Sequence, residues 1–301
     1  MTFEEQLARL GDLARPPSHQ ELRILANLGP ESLKVFWQAW RQFPAERRSA
    51  ILHELNDLAE DNIDLDFRGV LRACLHDADP EVRVAAVAGL WEDETEATMD
   101  HLIRLISDSA GAVRAAAVIA LAPFAYRSEL GELAPAPTQR VYTALFSAAT
   151  DPEQPLEVRR RAVEGLGYFA NSNEAQAEIG RAYAHPEISV RESAVRAMGR
   201  SMLLTWRPYI ERELRSPSPA MRYEAARAVG ELGEDGRQSL PGLLPLVDDD
   251  DSEIAAMAIW SLGQVGGQSA KRVLQRLARS KDEARSTAAT EALEELSLNE
   301  I

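Results

Sequence analysis

The chain has 301 residues, 45% of them hydrophobic, and carries 33 Lys and Arg against 48 Asp and Glu, a formal charge of −15 with a pI near 4.9. That field repels phosphate backbones and anionic membrane surfaces, so nucleic acid and membranes are not expected partners, and a protein or a small cationic molecule is favoured. The single cysteine, Cys74, excludes an intramolecular disulfide and a cysteine zinc site, which fits a reducing, cytoplasmic setting.

The N-terminus, MTFEEQLARLGDLARPP, puts acids where a secretory signal needs bases and has no apolar run behind them. No window approaches the roughly 18 consecutive apolar residues of a membrane helix. Residues 2–28 read as a short helical hairpin broken at Pro16 and Pro17, and residues 1–29 are expected to cap whatever follows. From Pro30 the patterns PESLKVFWQAWRQF, PAERRSAILHELNDLAED and DLDFRGVLRACLH each open on Pro or Asp, as a helix N-terminus prefers.

From Asp79 one block recurs: a small polar or acidic residue, an aliphatic anchor, usually Arg, then an Ala-rich helix. The anchors are Val82, Val113, Val158, Val190, Met221, Ile254 and Ala284, so the steps are 31, 45, 32, 31, 33 and 30 residues. A period near 31 means one supersecondary unit repeated. The step of 45 marks an insertion at 123–155, whose Pro123, Pro135, Pro137, Pro152 and Pro155 predict loop. Within each block the apolar residues fall at 0, +4, +5 and +8, as in Val190, Ala194, Val195 and Met198, the stripe of an amphipathic helix. A second amphipathic segment precedes each block, for example MDHLIRLISD from Met99 and AKRVLQRLAR from Ala270. The unit is helix, turn, helix.

The pattern D-x-x-P-x-V-R-x-x-A-x-x-A-L-G resembles HEAT repeats, in particular the short phycobilisome-lyase HEAT-like type, over residues 79–296. The context of Leu90–Asp93 and Ala197–Ser201 is similar to that in bacterial HEAT-repeat proteins of unassigned function. The resemblance implies an all-α fold, a right-handed α-α superhelix or HEAT-like solenoid of about eight helix pairs over residues 30–301, behind the cap. It also implies that the second helix of each pair lines a concave face.

The arginines at +1, namely Arg83, Arg114, Arg159, Arg191, Arg222 and Arg285, are a ladder repeated in register. Packing shared by every repeat explains such a ladder better than a ligand does, each Arg pairing with turn acids or carbonyls. The acids Asp77, Asp79, Asp108, Asp151 and Asp248 to Asp251 read as turn and N-cap residues, because their spacing lacks the alternation and central Gly of a calcium loop. Gly167, Gly199, Gly230 and Gly263 are expected at close-packed bends near helix ends.

Function is expected where repeats differ. Positions +2 and +6 of the second helices lie off the apolar stripe: Val84 and Ala88, Ala115 and Ile119, Arg160 and Glu164, Glu192 and Arg196, Tyr223 and Arg227, Ala256 and Trp260, Ser286 and Thr290. Residues 151–233 hold 12 basic and 12 acidic residues, a neutral island between acidic ends. The candidate partner-binding residues are therefore Arg160, Arg196, Arg200, Tyr223, Arg227 and Trp260, with a protein or peptide, acidic ones included, as the partner. A second reading stands beside this one, in which Arg160 with Glu164 and Glu192 with Arg196 are plain surface pairs four residues apart. Trp37, Trp40, Trp91 and Trp206 are expected to pack.

The chain has five scattered histidines, no HExxH motif, no GxSxG motif and no glycine-rich phosphate loop, so no catalytic residue, metal ligand or cofactor is expected. Of the His-Glu dyads of the HEAT-type deoxyhypusine hydroxylases only His53-Glu54 is present. The resulting expectation is a non-catalytic interaction scaffold. Fold analogy alone supports two alternatives, a bilin lyase-like chromophore-attachment protein and a HEAT-like DNA glycosylase, and the net charge opposes the second.

Overall fold

The computed structural model describes residues 1–62 and 64–299. Among them the regular structure is helical, with no strand. α1 (Phe3–Leu10) and α2 (His19–Leu22) lie either side of the Pro16-Pro17 break, each opened by a capping box, Thr2 with Glu5 and Ser18 with Glu21. Leu7, Leu10 and Leu22 of these helices are buried, as is Leu25 just after α2.

Eight helix pairs follow among the described residues. In the first unit they are α3 (Pro30–Trp40) with α4 (Ala45–Asp61), α5 (Arg68–Cys74) with α6 (Pro80–Ala88), and α7 (Glu96–Leu105) with α8 (Gly111–Ala120). An unpaired α9 (Ala122–Glu129) comes next, and then α10 (Pro135–Thr150) with α11 (Leu156–Leu166). The remaining pairs are α12 (Asn173–Tyr183) with α13 (Ile188–Arg200), α14 (Arg207–Glu213) with α15 (Pro219–Glu231), α16 (Leu240–Leu243) with α17 (Ser252–Val265), and α18 (Gly267–Leu277) with α19 (Glu283–Asn299). The described chain forms two compact units, Met1–Ala144 and the part from Leu145 onward.

The stripe read from the sequence is the core. Val82, Ala86, Val87 and Leu90 are buried in the first unit, and Val190, Ala194, Val195 and Met198 in the second. Small residues at +4 let second helices pack directly on one another, α4 and α8 on α6 in the first unit and α11, α13, α15, α17 and α19 in succession in the second. Trp40 is fully buried, tilted against Phe36 and Phe43, with its indole N–H donating to Asp77 Oδ2 at 2.8 Å.

The proline-rich stretch is not the loop that its composition predicts. Residues 122–150 are mostly the helices α9 and α10, and Pro123, Pro135 and Pro137 stand in their first turns. A first-turn N–H has no helical partner, so proline costs nothing there. The long step between Val113 and Val158 is therefore an added helix, and only Pro152 and Pro155 lie in a turn.

The arginine ladder is structural. Arg83, Arg114, Arg191 and Arg222 each donate from Nη1 to the carbonyl six residues earlier, in the turn inside their own pair, at 2.7, 2.7, 2.8 and 3.1 Å. Arg83 and Arg222 then pair with the turn aspartate of the next repeat, Asp108 at 2.7 Å and Asp249 at 2.8 Å. Asp79 and Asp251 are N-caps of α6 and α17, accepting from Glu81 N and Glu253 N at 2.9 Å.

Candidate partner-binding face

Five of the six candidate residues stand on three successive second helices of the second unit: Arg160 on α11, Arg196 and Arg200 on α13, Tyr223 and Arg227 on α15. Trp260 follows on α17. The structure joins three of the arginines, Arg160, Arg196 and Arg227, in a chain that alternates with four glutamates, Glu157, Glu164, Glu224 and Glu231. Glu164, only 6% exposed, accepts from Ser193 Oγ at 2.7 Å and has Arg161, Arg160 and Arg196 at 3.2, 3.7 and 3.6 Å. Arg196 forks onto Glu224, with Nε at 3.1 Å and Nη2 at 2.6 Å from one carboxylate oxygen. Arg227 bridges Glu224 at 3.0 Å and Glu231 at 2.6 Å. Arg160 ends the chain on Glu157 at 2.5 Å.

Arg196 thus pairs across helices with Glu224, and the surface pair of Glu192 with Arg196 suggested by their spacing does not form. Four-residue spacing on one helix competes here with a buried partner on the next, Glu224, where lower local dielectric strengthens the attraction. Burial would raise the Glu224 carboxyl, but hydrogen bonds and charge from Arg196 and Arg227 outweigh it and hold the group below the usual carboxylate range. Burial dominates at Glu231 and pushes that carboxyl up.

Arg200 stands apart from this chain. It donates from Nη1 to the backbone oxygen of Glu164 at 3.0 Å and lies over the Tyr168 ring at 4.9 Å, and among the described residues no carboxylate forms an ion pair with it. Burial, helped by the charge of Arg227, lowers its affinity for its proton. Nearby, Arg227 Nη2 and Glu231 Oε2 are buried without a hydrogen-bond partner. Tyr223 is half-buried. Trp260, also half-buried, packs over Gly230, where a Cβ would stand 2.5 Å from its Cζ3.

Glu224 and Glu231 escaped the sequence reading because they sit at +3 and +10 of their block, outside the strip chosen. Only the register between neighbouring helices brings +6 of one repeat onto +3 of the next. Trp91 was expected to pack and instead is 59% exposed. α6 ends at Ala88, and the turn after it carries the indole to the rim of a cleft of about 640 Å³ with Ala59, Glu60, Ala88 and Glu92. Trp206 does pack, its N–H donating to Gln176 Oε1 at 2.8 Å. Among the described residues no three His, Cys, Asp or Glu side chains cluster as metal ligands, and no helix is long and apolar enough to cross a membrane.

A family model described as HEAT repeats matches residues 69–156 and 208–294, more than half of the chain. The chain belongs to the HEAT-repeat family. Among solved structures, this HEAT protein is similar to the complex of CpcE and CpcF of phycocyanin lyase from Nostoc sp. PCC7120, at 19% identity over 78% of this chain and 88% of that one, with a TM-score of 0.56. It is also similar to Kap95p bound to RanGDP, at 17% identity and TM-score 0.50, and to the Kap95:Nup1 complex, at 16% and 0.50. Both Kap95 matches cover 98% of this chain but span less than half of theirs, 45% and 46%. At these identities the likeness is one of fold, an all-α HEAT solenoid. No curated protein sequence matches the chain.

Proposed function

We propose that this HEAT protein is a non-catalytic scaffold that binds a protein or peptide partner on the second-helix face of its second unit, the face the family resemblance makes concave, through Arg160, Arg196, Arg200, Tyr223, Arg227 and Trp260. The observation that carries the reading is Arg200, a half-buried guanidinium with no ion pair among the described residues, beside Arg227 Nη2, which is buried without a hydrogen-bond partner. A half-buried guanidinium with no ion pair is only partly compensated, and an acidic side chain from a partner would complete it with a charge-assisted hydrogen bond. Tyr223 on α15 and Trp260 on α17 add half-buried amphipathic rings of the kind that interfaces favour. Arg160, Arg196 and Arg227 are held by their glutamates and would present a pre-organised surface rather than bind alone. The similar folds in partner-bound complexes are consistent with this use.

The test uses Arg200→Gln and Tyr223→Ala, whose side chains are not in the glutamate chain. The full-length protein is cross-linked in cells of its source and the partner identified by mass spectrometry. Recovery should fall at least about tenfold in each folded variant, with cross-links on α13 and α15. Unchanged recovery, or cross-links confined to α12 and α14, would sink the proposal.

A further inference from the structure

Five residues before the seven anchors stand, in chain order, Asp77, Asp108, Glu153, His185, Ser216, Asp249 and Arg279. The aspartates at this position do two things. Asp77, Asp108 and Asp249 each accept the backbone N–H two residues on, at 2.9, 2.8 and 3.0 Å, which shapes the turn. Asp108 and Asp249 also take the +1 arginine of the repeat before, and this clasp ties adjacent repeats together.

His185 keeps the first task and cannot do the second. Its Nδ1 accepts from Glu187 N at 3.1 Å. That leaves the proton of the neutral ring on Nε2, a donor where Asp108 and Asp249 present an acceptor. The arginine that should meet it, Arg159, also lacks the carbonyl bonds that Arg83, Arg114, Arg191 and Arg222 make in their own turns. The turn before α11 holds Pro152 and Pro155 and presents no carbonyl six residues back within reach. Arg159 makes one long bond, from Nε to Ala149 O at 3.4 Å, and among the described residues no ion pair. Arg191 also faces no acid, at Ser216, but retains both carbonyl bonds, at 2.8 and 2.7 Å.

Arg159 and His185 line a cleft of about 380 Å³, floored by Val163, Val190 and the half-exposed Leu156. The other charges at the cleft are already matched. Arg181 donates to Glu178 at 2.7 Å, and Arg160 is held by Glu157. A guanidinium without an ion pair among the described residues and a ring N–H therefore line one cleft with an apolar floor, in a volume near the lower end of small-molecule sites.

We propose that this cleft binds a small carboxylic acid with a short aliphatic tail, its carboxylate occupying the place that Asp108 and Asp249 fill in the clasps of Arg83 and Arg222. The site is separate from the partner face, which it meets only at Arg160. Arg159 supplies the charge, His185 Nε2 the second donor, and Leu156, Val163 and Val190 the surface for the tail.

The experiment titrates the full-length protein with hexanoate and, in parallel, with hexanamide, which keeps the tail and removes the charge. The readout is the NMR signals of the His185 ring and the Arg159 Nε–H. Hexanoate should shift both saturably in the millimolar range, and hexanamide should not. His185→Asp supplies the missing carboxylate from within the chain. It should weaken hexanoate binding at least about tenfold while leaving the unfolding midpoint equal or higher, which damage to the fold would not do. Arg159→Gln should show the same loss and serves if His185→Asp does not fold. No saturable response to hexanoate, an equal response to hexanamide, or unweakened binding in a folded His185→Asp or Arg159→Gln variant would overturn the assignment.

Discussion

Gly199 on α13 and Ala228 on α15 meet with almost nothing between their backbones: a Cβ at 199 would stand 2.7 Å from the Ala228 Cα and 2.8 Å from its Cβ. Gly167 approaches Ala197 on α13 in the same way, and Gly230 approaches Ser261 on α17. The reason for these glycines is this approach and not a left-handed bend, since none of them has a positive φ. Gly199→Ala should cost about 1–3 kcal/mol through overpacking. Gly180 on α12 has only an ordinary contact, 3.6 Å from Trp206 Cη2, so Gly180→Ala should stabilise by about 0.5–1 kcal/mol through helix propensity. Urea midpoints at constant slope measure both, and a neutral Gly199→Ala would refute the packing account.

The two kinds of ladder arginine should respond differently to the same change. Arg83→Met takes the donor from the half-buried Asp108 and from two turn carbonyls, those of Asp77 and Ala78, and should cost about 1–3 kcal/mol. Arg159→Met removes no ion pair and should cost less than about 1 kcal/mol. At Asp108 burial would raise the carboxyl, but the Arg83 bond, the Ala110 N–H and the two nearby guanidinium charges hold it below its ordinary value. A depressed carboxyl contributes stability above its unfolded pKa of about 3.9, and that contribution is lost as pH falls through the lower folded value. Wild type should therefore lose more stability than Arg83→Met on acidification below about pH 4. Equal costs for the two substitutions would contradict the clasp.

Glu224 and Glu231 share Arg227 yet shift in opposite directions, so their pH signatures should oppose. With a lowered folded pKa, Glu224 stabilises above the unfolded carboxylate range, and the advantage of wild type over Glu224→Gln should grow as pH rises from acid to neutral. With a raised folded pKa, Glu231 loses stabilisation as pH rises through that value, so the advantage of wild type over Glu231→Gln should shrink over the same range. Denaturant unfolding at acidic, intermediate and neutral pH gives both slopes. Slopes of the same sign would show that burial does not dominate at Glu231.

Near-periodic anchors from Val82 to Ala284, apolar residues at fixed helical offsets and an arginine after most anchors were enough to establish the repeat, its helix-turn-helix unit, its buried stripe and the ladder's role in packing. These follow from local chemistry repeated in register, because a helix presents every third or fourth residue to one side whatever surrounds it. Pro123 and Pro135 misled because their composition suits a loop and a helix's first turn equally well, and only the fold chose. Tertiary structure alone decided the pairing of Arg196 with Glu224 instead of Glu192, the exposure of Trp91 and, among the described residues, the lack of an ion pair at Arg159. Each depends on how one helix is placed against the next. That placement is set by summed packing at glycines such as Gly199, not by any single residue's neighbours in the chain.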